Sequence, residues 1–306
     1  MILNLIKLSR PKQWIKNFFV FAPLVFSRHV FELSFLSASL YAFIVFCLAS
    51  SSVYVLNDIM DVESDRSHPR KKYRPIASGE VTPSQGMLFL LVLMIVILAL
   101  LFFERPVFIF VVILYLLTNL LYSWKIKSIV LLDIFFISFG FILRVLGGAA
   151  AIDVSVSSWM ILTTIFISLF LGISKRRAEL SQVPNQDNIE KQRRVLRDYS
   201  VEFADELNTI AAAGTIISYA LYTVSERTVF TFGTEKLIYT TPFVIYGIFR
   251  YMFLIHKKNL GESPTTIVTK DIPIMLNVVI WFAACIVIIY KPNIPLLSKL
   301  IKFIFP

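Results

Sequence analysis

Nine apolar stretches recur along the chain, each about as long as a helix must be to cross a bilayer, and they limit the fold more than any other feature. They run Trp14–Val30, Leu33–Val55, Gly86–Phe103, Val107–Tyr122, Ile129–Ile152, Ser157–Ile173, Val201–Val224, Tyr239–Ile255 and Ile272–Tyr290. Backbone N–H and C=O groups find no water in hydrocarbon, so each stretch is predicted to close its hydrogen bonds internally as a helix. The first is the least regular: Pro23 interrupts it, and Lys16 and Asn17 stand near its start, which predicts a tilted or partly interfacial segment. Without it eight crossings would remain. A chain of 306 residues that is 57% hydrophobic, with mean hydropathy +0.74, is therefore expected to be an all-α integral membrane protein. The expected architecture is one nine-transmembrane-helix bundle over residues 1–306.

Short breaks such as Glu104-Arg105-Pro106 alternate with long charged loops. Of the 30 Lys and Arg residues, 21 fall on the side shared by the N-terminus and the long loops and 7 on the other, with Arg144 and Arg250 inside helices. By the positive-inside rule the N-terminus and long loops face the cytoplasm of a plasma membrane and the C-terminus faces out. The net charge of +10 is then mostly topology, and no aromatic-interleaved basic patch remains to suggest nucleic acid. Cys47 and Cys285 lie in apolar runs and read as small buried hydrophobes. No compact apolar core with a cleavage site follows the first charges, so no removable signal peptide is expected.

The second apolar stretch ends in Asn57-Asp58-Ile59-Met60-Asp61-Val62-Glu63-Ser64-Asp65, followed by a basic run to Arg74. On a continuous helix Asn57, Asp61 and Asp65 stand four residues apart and Asp58 three before Asp61, so the four share one stripe. Carboxylates with an amide are the hard oxygen ligands that Mg²⁺ prefers, and Mg²⁺ leaves room for substrate phosphates. The plainer alternative is a solvated helix end whose acids pair with Arg66, Arg70 and Lys71.

Cations gather on the same side: Arg10, Lys12 and Lys16, then Lys125 and Lys127, then Lys175, Arg176 and Arg177. They suit phosphate recognition, and they also suit simple positive-inside topology. Arg144 is harder to explain by topology, because a cation near the middle of Ile129–Ile152 must face the bundle interior. A carboxylate such as Asp133, a substrate phosphate or a wet cavity would satisfy it. Gly147 and Gly148 after it suggest close helix packing, and Arg250, nearer a helix end, needs only to snorkel. The polar run Asn185 to Glu190 is expected to start a short cap helix over the cytoplasmic mouth, the alternative being an ordinary solvated loop. His68 is read as a solvated loop residue.

Asn57-Asp58, Asp61 and Asp65, followed by Arg74-Pro75-Ile76-Ala77-Ser78-Gly79, resemble the first signature of the UbiA superfamily of intramembrane prenyltransferases. That resemblance implies a nine-helix bundle, a Mg²⁺-dependent site open to the cytoplasm and a lateral route for lipid. Most members carry a second acidic motif at the end of the sixth helix. Here that place reads Ser174-Lys175-Arg176-Arg177-Ala178-Glu179. With Arg10-Pro11-Lys12-Gln13-Trp14-Ile15-Lys16-Asn17, Tyr122-Ser123, Lys127 and the glycines around Arg144, the chain is similar to the decaprenyl-phosphate phosphoribosyltransferase branch, from about Ser9 to Asp271.

The branch implies that 5-phosphoribosyl 1-pyrophosphate donates a phosphoribosyl group to a polyprenyl phosphate lipid in the membrane. It assigns Asn57, Asp58, Asp61 and Asp65 to Mg²⁺ and pyrophosphate, with Asp58, Asp61, Lys127 and Arg144 at the reaction. Lys127, Arg144, Lys175 and Arg176, beside Tyr122 and Glu179, would hold donor or lipid phosphate, and Arg10, Gln13 and Lys16 the lipid head group. Two rivals stand against this reading: an aromatic prenyltransferase using a prenyl pyrophosphate, and a lipid-phosphate transporter without chemistry. No triad, paired cysteine motif or nucleotide-binding loop supports other classes.

Overall fold

The computed structural model describes residues 2–67, 71–181, 194–258 and 264–290. Among them, eight helices are long and apolar enough to cross a membrane, and the protein is an integral membrane protein. The expected cap at Asn185 to Glu190 and His68 lie outside the described residues.

The chain begins with α1 (Ile2–Ser9) and turns at Arg10, whose φ of 50° is left-handed. The expected first crossing then takes an irregular form: a 3-10 helix over Pro11–Phe21 continued by the short α2 (Ala22–Phe26). A 3-10 helix rises about 2.0 Å per residue against about 1.5 Å for an α-helix, so the two pieces reach roughly 30 Å, near the hydrocarbon thickness. The segment does run the depth of the bundle. Arg10 meets Asp58 at one end, while the Val30 N–H donates to the Tyr290 hydroxyl (3.1 Å) at the other.

α3 (Leu33–Met60) returns to the first end. At 28 residues it is roughly 42 Å long, so its acidic last turns clear about 30 Å of hydrocarbon. The helix stops at Asp61 (φ −98°, ψ 12°) and resumes as α4 (Val62–Ser67), with the Asp65 N–H on the Asp61 carbonyl (2.8 Å). The acidic stripe is therefore not carried by one uninterrupted helix.

Next come α5 (Pro83–Leu101), opened by a Thr82–Gln85 capping box, and α6 (Pro106–Trp124). They are followed by α7 (Leu132–Ile152) and α8 (Ser158–Ser181). The remaining helices are α9 (Val201–Val224), the short α10 (Glu226–Phe232), α11 (Thr241–Lys258), the short α12 (Pro264–Lys270) and α13 (Ile272–Tyr290).

α7 is the central helix, packing on α3, α6, α8 and the 3-10 segment. Glycine makes that approach possible. A Cβ on Gly148 would fall 2.0 Å from the Val20 carbonyl oxygen, and one on Gly147 would fall 2.3 Å from the Phe46 ring. The glycines serve close packing, as the sequence suggested, and the 3-10 segment lies against α7 because of them.

Candidate active site

The acidic and basic side chains gather at the end of the bundle where α3, α6 and α8 finish and α7 and α9 begin. Asp58 is 2% exposed and accepts from Arg10 and from Arg74 Nη1 (3.2 Å). Asp65, equally buried, shares the same Arg74 nitrogen at 2.5 Å. Asp61 is turned onto Lys127 Nζ at 2.8 Å. Among the described residues no three His, Cys, Asp or Glu side chains converge as a ready metal cluster. The break at Asp61 explains why helical spacing alone would overstate their convergence. Two oxygens nevertheless stand apart: Asn57 Oδ1 and Asp58 Oδ2 are buried and accept no hydrogen bond among the described residues. A buried acceptor without a donor is costly. An amide oxygen and a carboxylate oxygen left without donors are of the type that suits a hard cation taking most of its shell from water and phosphate. In chemistry the unsatisfied oxygens of Asn57 and Asp58 fit Mg²⁺, while Asp61 and Asp65 are engaged by Lys127 and Arg74.

Beside the stripe lies a cavity of about 370 Å³ lined by Gln13, Lys16, Asn57, Tyr122, Arg144 and Lys175, among others. Six residues anticipated from sequence thus face one space. Lys16 also bonds the Tyr54 hydroxyl, another lining group. A second, almost wholly apolar cavity of about 430 Å³ reaches down between α8, α9, α11 and α13, past Tyr219, Tyr251 and Trp281. Phe19, Leu171 and Val268 line both. One polar chamber joined to one apolar chamber matches an amphiphile with a charged head.

The other anticipated residues have a different setting. Arg176 is fully buried and donates to Asp133 (2.6 Å), Glu179 (2.6 Å) and the Tyr122 hydroxyl (3.4 Å). Glu179 also lies 3.7 Å from Lys175. Asp133 accepts in addition from Tyr199 (2.9 Å), which receives the Leu131 N–H (2.9 Å). Burial and the Asp133 carboxylate push the Tyr199 phenol up, which keeps it a neutral donor. This network fastens the residues before α9 to the start of α7. Neighbouring Arg177 pairs with Asp205 of α9 (2.6 Å), and Arg250 grips Asp271 with two nitrogens (3.2 and 3.0 Å).

Arg144 is placed otherwise. Its Nε donates to Asn17 Oδ1 (2.7 Å), Nη1 to the Gly140 carbonyl (2.8 Å) and Nη2 to the Tyr115 hydroxyl (2.8 Å). The carboxylate suggested by the sequence, Asp133, belongs to Arg176 instead. Asn17, Tyr115 and Arg74 are the site residues that pattern reading did not single out. Arg74 and Asn17 were present in the quoted motifs without a role of their own, whereas Tyr115 carries no signal beyond being polar in an apolar run.

Comparison with known proteins places this geometry. The model of the UbiA prenyltransferase family matches residues 18–267. The chain is 33% identical over 301 residues to decaprenyl-phosphate phosphoribosyltransferase of Mycolicibacterium smegmatis, covering 95% of this chain and 93% of that protein. It is 32% identical over 293 residues to the protein of the same name from Corynebacterium glutamicum, covering 94% and 87%. In fold it is similar to a UbiA homolog from Archaeoglobus fulgidus solved with GPP and Mg²⁺, with TM-score 0.70 at 17% identity over 94% of this chain and 99% of that one. With a family model spanning most of its helices and relatives matching nearly end to end, the chain belongs to the UbiA prenyltransferase family and is a transferase.

Proposed function

We propose that the protein transfers the 5-phosphoribosyl group of 5-phosphoribosyl 1-pyrophosphate to a polyprenyl phosphate, with Mg²⁺, at the cytoplasmic face of the membrane. The observation that carries this reading is the pairing of one acidic stripe with a cation-lined chamber that opens into an apolar one. A single stripe suits a single pyrophosphate. The end of α8, where a second acidic motif would hold a prenyl pyrophosphate, carries Lys175 and Arg176 with only Glu179. The names of the relatives support phosphoribosyl transfer to a polyprenyl phosphate.

Asn57 and Asp58, with Asp61 and Asp65, would hold Mg²⁺, which supplies charge neutralisation to the departing pyrophosphate. Lys16, Lys175 and Arg144 attract the phosphates, and Gln13 adds a neutral hydrogen-bonding group. Lys127 and Arg10 stand at the stripe and assist there, while Arg176 and Glu179 fix the position of Lys175 and Tyr122. An oxygen of the lipid phosphate attacks C1 of the ribose as the bond from C1 to pyrophosphate breaks. The nucleophile is already an anion, so no side chain has to remove a proton. Apolar lining at Phe19, Leu171 and Val268 limits water near the reacting carbon. The surplus of Lys and Arg at this end supports a cytoplasmic setting for it and for the N-terminus, on the side of a soluble donor.

Membranes offered both labelled phosphoribosyl pyrophosphate with polyprenyl phosphate, and labelled prenyl pyrophosphate with an aromatic acid, distinguish the reaction from its nearest rival. Label is expected in the lipid only from the first donor. Label moving only to the aromatic acid would refute the proposal.

A further inference from the structure

We propose that Asn17, assisted by Tyr115, is a positioning residue that aims Arg144 while leaving its charge uncancelled, so that the guanidinium receives a substrate phosphate in the polar cavity. The proposal rests on the transferase reading above for the identity of the phosphate. Three observations lead to it.

The first is charge. Arg144 is 7% exposed, and its partners are an amide, a backbone carbonyl and a phenol. The rings of Tyr115 and Phe141 flank it at 4.8 and 5.2 Å. By contrast Arg10, Arg74, Arg176 and Arg177, at the same end, each pair with a carboxylate.

The second is hydrogen-bond direction. Asn17 is fully buried, and a guanidinium only donates, so the Asn17 oxygen must face Arg144. Its Nδ2 then donates to Ser50 Oγ (3.2 Å) and Cys47 Sγ (3.3 Å), while Ser50 spends its own proton on the Cys47 carbonyl (3.0 Å). The amide is held at both ends and cannot swing away.

The third is place. A guanidinium has five N–H groups, and the three acceptors above leave some of them for the chamber that Arg144 lines with Lys16 and Lys175. A carboxylate at position 17 would grip the same Nε at least as well. A neutral amide in its place leaves the charge for something else, and the fitting partner is a phosphate monoester. That phosphate belongs either to the lipid head or to the 5-position of the ribose.

The decisive variant is Asn17→Asp, nearly the same shape with a charge that cancels Arg144. In the purified full-length protein we expect an unfolding temperature equal to or above wild type. We also expect a KM raised about tenfold or more for one phosphate substrate, since charge-assisted hydrogen bonds are at stake. Asn17→Ala and Tyr115→Phe should raise the same KM less. A rise for polyprenyl phosphate assigns Arg144 to the lipid head, and a rise for phosphoribosyl pyrophosphate assigns it to the donor. Unchanged KM for both, or activity lost only in step with folded protein, would overturn the proposal, as would failure of Asn17→Asp to fold.

A readout independent of turnover separates this proposal from the reaction itself. Polyprenyl phosphate or phosphoribosyl pyrophosphate alone should raise the unfolding temperature of wild type and do so less for Asn17→Asp. Wild type that binds but transfers nothing would count against the reaction alone, whereas equal shifts in both proteins would count against the positioning role.

Discussion

Arg176 and Arg144 are both withdrawn from solvent in the same bundle, yet Arg176 lies between two carboxylates and Arg144 has none. The contrast separates scaffold from site. A buried cation with matched acids is already satisfied and ties helices together, here α7, α8 and the residues leading into α9. A buried cation held by neutral groups keeps an outward field in a low-dielectric setting and is energetically incomplete until an anion arrives. Both were legible as cations in a membrane protein, but only their partners tell them apart.

The largest expected effect attacks the first member of the pair. Arg176→Met takes from Asp133 and Glu179 the buried cation they share, leaving the neutral Tyr199 donor on Asp133, and should cost about 3–5 kcal/mol of stability. Thermal unfolding in detergent would register it as a large drop. The reciprocal change, Arg144→Met, should lower the unfolding temperature far less, because the loss of its donors to Asn17 and Tyr115 is offset by deleting an uncancelled buried charge. Its kcat/KM should fall about a hundredfold, or about 3 kcal/mol. If the two variants behaved alike in both assays, the distinction between the arginines would collapse.

A smaller effect probes how Arg144 is approached. Gly148→Ala places a methyl against the Val20 carbonyl and should cost about 1–3 kcal/mol by overpacking. It should also raise a substrate KM, because the 3-10 segment that moves carries Asn17. A stability loss with unaltered KM would show that the segment's register is not critical to the site. Least of all, Tyr199→Phe removes one donor from Asp133 and should cost about 1 kcal/mol without altering KM, as expected on the scaffold side of the contrast.

The bundle was readable because lipid imposes one requirement on every crossing, apolar surface with closed backbone hydrogen bonds, and that requirement is written locally. The shape of the first crossing was not. Pro23, Lys16 and Asn17 flagged irregularity, but a 3-10 path depends on Gly148, more than a hundred residues away, admitting the Val20 backbone. The acids were found by helical spacing, which assumed a helix that does not break at Asp61. Arg144 was found because one charge interrupts an apolar run. Its suggested partner Asp133 lies on the same helix 11 residues earlier, roughly 16 Å along the axis, too far to reach. The actual partners, Asn17 and Tyr115, come from other elements, and nothing in their local pattern marks them as partners of Arg144.

Mass spectrometry of the lipid fraction, after the purified protein is incubated with polyprenyl phosphate, 5-phosphoribosyl 1-pyrophosphate and Mg²⁺, tests the central claim most directly. The account predicts a lipid heavier by one phosphoribosyl unit, with pyrophosphate released in equal amount and both formed about a hundredfold more slowly in Arg144→Met. Unchanged lipid under these conditions, together with a prenylated aromatic product when prenyl pyrophosphate and an aromatic acid are supplied, would contradict it.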